Sequence, residues 1–188
     1  MSPNMFSQIN SSFQGTGFQD FYTFLDDVEL DSVRAVIQWI LEANNAEERP
    51  DMLNLLICSG GGDLNAAFAL IDIMRGSYIP VRTIGIGMIA SAGLMIFMAG
   101  QEGERVLTKN TAILSHQFSS SSWGKSHELL SATKSFDLTS TKVLDHYLQF
   151  SNLDEEQIKE LLLPPTDVWL SAQEALKYGL CDSIKTLK

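Results

Sequence analysis

Cysteine is scarce: the 188 residues hold two, Cys58 and Cys181. Two cannot staple a disulfide scaffold, and they do not stand at metal-ligand spacing. Positive charge is scarce as well. Thirteen Lys and Arg face 23 Asp and Glu, a formal net charge of −10, which argues against nucleic acid or an anionic membrane surface as the principal partner. The first residues lack a basic segment followed by an apolar one, so no secretory signal is expected. A cytoplasmic protein with reduced thiols is the expectation. With 45% hydrophobic residues the chain can bury one ordinary globular core. Neither an internal repeat nor a clean domain boundary is evident.

Charge of either sign is missing from Thr83 to Gln101, a run just long enough to cross a bilayer. Its pattern argues against a span. Ile84 and Ile86 continue a strand that starts at Val81, Gly87 is expected to break it, and Ala90–Ala99 has the composition of a helix. A strand, a turn and a helix in lipid would leave backbone groups unpaired. A buried strand–turn–helix of an α/β domain fits better.

The rest of the chain agrees with that class. Residues 1–20, rich in Ser, Asn, Gln and Gly, are expected to form a flexible arm, and residues 21–188 a single domain. Phe21–Leu25 is a strand candidate. Leu30–Asn44 places Val33, Val36, Ile37, Ile40 and Leu41 on one helical face, with Asp31 as its expected cap. Met52–Cys58 is a near-continuous apolar strand, as in a sheet covered on both faces. Ser-Gly-Gly-Gly-Asp (59–63) interrupts it, Leu64–Gly76 reads as an amphipathic helix, and Pro80 precedes the next strand. This β-α-β-α-β order implies a parallel sheet. A long helical pattern over His127–Asn152, a capped acidic helix ended by Pro164 and Pro165, and a short helix closed by Gly179 follow.

Three features carry chemistry. Ser91 lies at the strand-to-helix turn in Ile-Ala-Ser-Ala-Gly (89–93), similar to a nucleophile elbow without its first glycine. A serine there more often caps a helix, and a nucleophile needs a base. His116 follows the apolar run Ala112–Leu114 at a strand end, whereas His127 and His146 fall on the long helical pattern. The glycines at 60–62 permit positive φ and close backbone approach, as an oxyanion hole requires. No G-K-[ST] or G-x-G-x-x-G follows them, so neither phosphate-loop reading holds. Asp137, Asp145, Asp154, Asp167 and Asp182 all lie beyond His116. Spacing alone does not select a third member among them.

Together these motifs resemble the Clp protease proteolytic subunit (ClpP) family from about Phe21 onward. Ile-Cys-Ser-Gly-Gly-Gly is similar to the family's I-N-S-P-G-G, Gly-Met-Ile-Ala-Ser-Ala-Gly to G-Q-A-A-S-M-G, and Ile-Leu-Ser-His-Gln to M-I-H-Q-P. Asp167–Ile184 is similar to D-R-F-L-S-A-x-E-A-x-x-Y-G-L-V-D-S-I. The resemblance implies a Ser91–His116–Asp167 triad and an oxyanion hole built from the Gly62 and Ala92 backbone N–H groups. Twenty-nine residues separate Gly62 from Ser91 and twenty-five separate Ser91 from His116, which suits the family without gaps. A small insertion is expected near 163–166.

The implied fold is α/β, a ClpP/crotonase-like spiral of ββα units with a protruding handle at about 118–152. The implied function is a serine endopeptidase of the ATP-dependent type. It would work inside two stacked heptameric rings on unfolded polypeptides or peptides, with an AAA+ unfoldase as partner. This subunit would need no metal, nucleotide or other cofactor. Gly60 in place of proline and Met88 in place of glutamine mark a divergent member, such as a phage-encoded or accessory copy. Two alternatives stay open: a structural or weakly active subunit that needs a paralogue, and a crotonase-type acyl-CoA enzyme.

Overall fold

The computed structural model describes residues 20–186. The expected arm lies outside the described residues except for Asp20. Seven strands form one sheet. Its main path runs β1 (Phe21–Phe24), β2 (Leu53–Ser59), β3 (Val81–Ala90), β4 (Arg105–Thr108) and β7 (Ser183–Lys185), all paired in parallel. β5 (Ala112–Ser115) pairs in parallel with β3, and β6 (Val168–Ser171) pairs antiparallel with β5. The helices are α1 (Leu30–Asn45), α2 (Leu64–Gly76), α3 (Ala92–Met98), α4 (Ser126–Phe150), α5 (Glu155–Leu161) and α6 (Ala172–Lys177).

The main core lies between the sheet and the helices. It gathers Val33, Val36 and Ile40 of α1, Leu70 and Ile71 of α2, every residue of α3 but Gly93, and the inward residues of β2. A smaller cluster, Ile84 and Val106 with Phe21, Leu56 and Ile86 against them, occupies the other face. Covering on both faces explains why β2 reads as a near-continuous apolar run. The arrangement differs from the sequence pattern at the first helix. Glu29, not Asp31, is the N-cap, and Ser32 Oγ accepts its N–H at 3.0 Å. Asp31 instead pairs with Arg34 on the surface. Leu41 is exposed, so the buried stripe is narrower than the apolar one.

β3 is the larger difference. It does not end at Gly87 but continues to Ala90. Gly87 takes φ 63°, and between the Ile57↔Gly85 and Ser59↔Ile89 pairs β3 carries two more residues than β2. The glycine is a bulge, which bends a strand without ending it. Below the bulge β3 pairs with β4; above it, Met88–Ala90 pair with Ala112–Leu114 of β5. The bulge thus redirects the strand end that carries Ser91 from one neighbour to another.

Two side chains hold the end of α3. Thr83 Oγ1 donates to Phe97 O at 2.8 Å, and buried His146 of α4 donates from Nε2 to Met95 O at 2.9 Å. Both carbonyls also accept from the backbone, Met95 O from Ala99 N–H and Phe97 O from Gly100 N–H, each at 3.2 Å, so the side chains add a second donor to each carbonyl of this last turn. α4 buries only Val143, His146 and Tyr147, all in its second half. Its first half, with Leu129, Leu130, Phe136 and Leu138 exposed, stands off the core as the expected handle. No described helix is long and apolar enough to cross a membrane.

Candidate active site

Ser91 is the only non-glycine described residue with positive φ, at φ 54° and ψ −124°. Such a conformation costs about 1–3 kcal/mol and persists only where its surroundings over-determine it. Here they do. Ser91 N–H donates to Leu114 O at 3.0 Å, and Leu94 and Met95 N–H both bond Ser91 O, at 3.0 and 3.3 Å. The residue is clamped between β5 and the first turn of α3, and its side chain is half-buried.

The glycine loop packs against this turn. Gly61 has φ 97°, and a Cβ there would stand 2.6 Å from Ser91 Cβ and 2.9 Å from Ala90 O. Gly62 has φ 144°, and a Cβ there would meet Val28 O at 2.3 Å. Only glycine satisfies both the angle and the contact. Val28 N–H bonds Gly61 O and Asp63 N–H bonds Val28 O, each at 2.7 Å. The Gly62 N–H takes no part in these pairings, and the Ala92 N–H is an orphan donor at the start of α3. Ser59 Oγ secures the loop from behind. It accepts from Gly61 N–H at 3.2 Å and donates to Asp26 O at 2.7 Å.

His116 and Asp167 flank the β5–β6 pair. Ser115 pairs with Val168 in antiparallel register, so His116, one residue beyond β5, and Asp167, one residue before β6, face each other at the same end. Because Leu114 also accepts from Ser91, the three backbones converge. Among the described residues no hydrogen bond joins the three side chains. His116 Nδ1 contacts Gln117 O at 2.6 Å, and Asp167 is exposed. A carbonyl can only accept, so Nδ1 carries the proton and a neutral imidazole has its lone pair on Nε2. The other histidines separate as expected. His127 is exposed; His146 is buried, and burial lowers its pKa to about 4.

Three residues around His116 escape motif reading. Ser115 Oγ donates to Leu162 O at 2.6 Å and lies 2.7 Å from Tyr147 Oη. Gln117 Nε2 donates to Leu163 O at 2.8 Å. The available signal was Ser115 itself, a polar residue in the inward phase of an apolar strand. Beside His116, a cavity of about 370 Å³ is lined by Gln117, Phe118, Phe136, Val143, Leu144 and Leu163, among others. The Phe118 and Phe136 rings lie 4.8 Å apart in its wall.

Comparisons with known proteins agree with this architecture. The family model described as Clp protease matches residues 20–188. The ATP-dependent Clp protease proteolytic subunit 2 of Thermobifida fusca is 35% identical over 144 residues, covering 76% of this chain and 69% of that protein. The ATP-dependent Clp protease proteolytic subunit of Deinococcus radiodurans is 32% identical over 145 residues, covering 77% and 69%. A variant of ClpP1 from Listeria monocytogenes shares the fold at a TM-score of 0.79 and 22% identity, over 89% of this chain and 92% of that one. The two-faced parallel sheet, the projecting helix and these matches lead to one assignment: the chain belongs to the Clp protease family, as a divergent ClpP-type subunit.

Proposed function

We propose that the chain is a serine-type endopeptidase subunit in which Ser91 is the nucleophile, His116 the general base and Asp167 the orienting carboxylate. The observation that carries this reading is the convergence of the three backbones, with Ser91 in a strained turn bonded to Leu114 O. Ser91 Oγ attacks the peptide carbonyl while His116 Nε2 takes its proton. The same nitrogen then protonates the leaving amine, and Asp167 stabilises the imidazolium. The Gly62 and Ala92 N–H groups receive the oxyanion, each contributing about 3 kcal/mol to the transition state. Water completes hydrolysis of the acyl-serine, so the subunit requires no metal or nucleotide. The cavity beside His116 suits an apolar substrate side chain.

The working form in this reading is two stacked heptameric rings in the cytoplasm, joined through α4 and supplied with unfolded polypeptide by an AAA+ unfoldase. The exposed apolar residues on the first half of α4 support pairing there. One observation favours a second reading, a weakly active subunit that needs a paralogue: His116 Nδ1 bonds Gln117 O, the position the triad would give to Asp167. Assembly would then be what brings Asp167 to the imidazole. Peptidase assays across size-separated species of the purified protein separate the two. The first reading expects turnover in the large homomeric species, abolished by Ser91→Ala. Turnover only after a paralogous subunit is added would select the second.

A further inference from the structure

Ser115 is fully buried and Tyr147 2% exposed, and both hydroxyls are hydrogen-bonded. Donor accounting gives the pair a direction. A serine hydroxyl has one proton, and Ser115 places it on the Leu162 carbonyl at 2.6 Å. Tyr147 must therefore supply the proton of the 2.7 Å Tyr147–Ser115 contact. Burial pushes the Tyr147 phenol up to about 12, so it keeps that proton at neutral pH. The relay runs Tyr147 Oη–H to Ser115 Oγ–H to Leu162 O.

Each end of this relay leads to the candidate site. Ser115 immediately precedes His116. Leu162 closes α5, and the next residues, Leu163, Pro164, Pro165 and Thr166, lead to Asp167. Two consecutive prolines fix their own φ and restrict the residue before them, so this connection transmits position well. The Gln117 bond to Leu163 O runs parallel to the relay on the other side of His116. Tyr147 belongs to α4, the helix whose first half projects from the core.

We propose that Tyr147 and Ser115 are positioning residues: their hydroxyl relay to Leu162 O sets, from α4, both the backbone that carries His116 and the segment that ends at Asp167. The inference rests on the triad reading above. It predicts that deleting one hydroxyl, without disturbing the apolar packing, misplaces the base relative to Ser91 and the carboxylate. Small misplacements of this kind act on the chemical step more than on substrate binding.

Tyr147→Phe and Ser115→Ala, separately and together, test this in the assembled protein. Each single variant is expected to lower kcat about ten-fold, within the ~100-fold that an ångström of misplacement can cost, with KM unchanged. The double variant should match the worse single one, because both substitutions break one relay. Histidine-selective 15N spectra should show the His116 ring signals moved in each variant and those of His127 unmoved. Wild-type kcat in both variants, or a loss matched by the fraction unfolded with His116 signals unchanged, would overturn the proposal. If the wild type shows no Ser91-dependent turnover, the triad reading fails and the spectra alone decide: moved His116 signals uphold positioning, unmoved ones reject it.

Discussion

Replacing His146 by glutamine perturbs the seat of α4 on the helix that follows Ser91. The imidazole donates to Met95 O, and its ring lies against Phe68 and Phe150, at centroid distances of 6.2 and 4.6 Å. Burial, assisted by the nearby Arg75 guanidinium, lowers its pKa from 6.5 to about 4. Asp72 and Arg75 of α2 and Lys142 and Asp145 of α4 are the charged groups lining the adjoining groove. The unfolded chain takes up this proton below about pH 6.5, whereas the folded chain resists until about pH 4. Stability from this group is therefore whole above the unfolded value and lost as pH falls between the two, with no further loss below the folded value. A shift of this size corresponds to about 3 kcal/mol. Glutamine keeps an N–H for Met95 O and cannot titrate. Urea unfolding of the wild type and His146→Gln, at one protomer concentration from pH 7 to pH 4, should show the wild type losing about 3 kcal/mol more than the variant. Parallel curves would refute the claim that a neutral buried imidazole joins α4 to α3.

Two other substitutions probe the frame around the site. Gly61→Ala forces a Cβ into the Ser91 turn at a φ that L-residues rarely adopt; acylation of Ser91 by an active-site probe should slow by about 100-fold, while an unchanged rate would deny the contact between loop and turn. Arg105 donates from Nε and Nη2 to Asp182 and from Nη1 to Phe150 O. Burial would raise the Asp182 pKa, but the Arg105 bonds and charge outweigh it and hold the carboxyl below its usual range. Arg105→Met leaves that carboxylate without its cation, held only by the Arg105 and Gly103 backbone N–H groups, and should cost about 3 kcal/mol in urea unfolding, whereas a loss within experimental error would show the pair to be dispensable.

The order of strands and helices was legible because apolar periodicity and glycine punctuation follow backbone geometry. Leu64–Gly76 forms its helix as the pattern requires, and Gly179 closes the last helix at φ 74°. Gly87 misled because a positive-φ glycine serves a turn and a bulge equally. Only the partners on either side of β3 distinguish the two. Asp31 misled because a cap is defined by where the first helical bond forms: Val33 N–H bonds Glu29 O, which puts the cap two residues before Asp31. Ser91, His116 and Asp167 were legible as motif positions, and they adjoin the ends of β3, β5 and β6. The hydrogen bond of His116 to its neighbour's carbonyl and the Tyr147–Ser115–Leu162 relay were not. The His116 bond joins neighbours but depends on a side-chain rotamer that residue type does not set; the relay joins Ser115 to partners 32 and 47 residues away in the chain, a separation at which local patterning carries no signal.

The central claim is that Ser91 is an activated nucleophile, and intact-mass measurement of fluorophosphonate labelling tests it most directly. An activated Ser91 gives one phosphonyl adduct per wild-type chain, mapped to that residue, none on Ser91→Ala, and labelling slowed by about 1,000-fold or more in His116→Ala. Equal labelling of the wild type and Ser91→Ala, or no labelling of an assembled wild type, would contradict it.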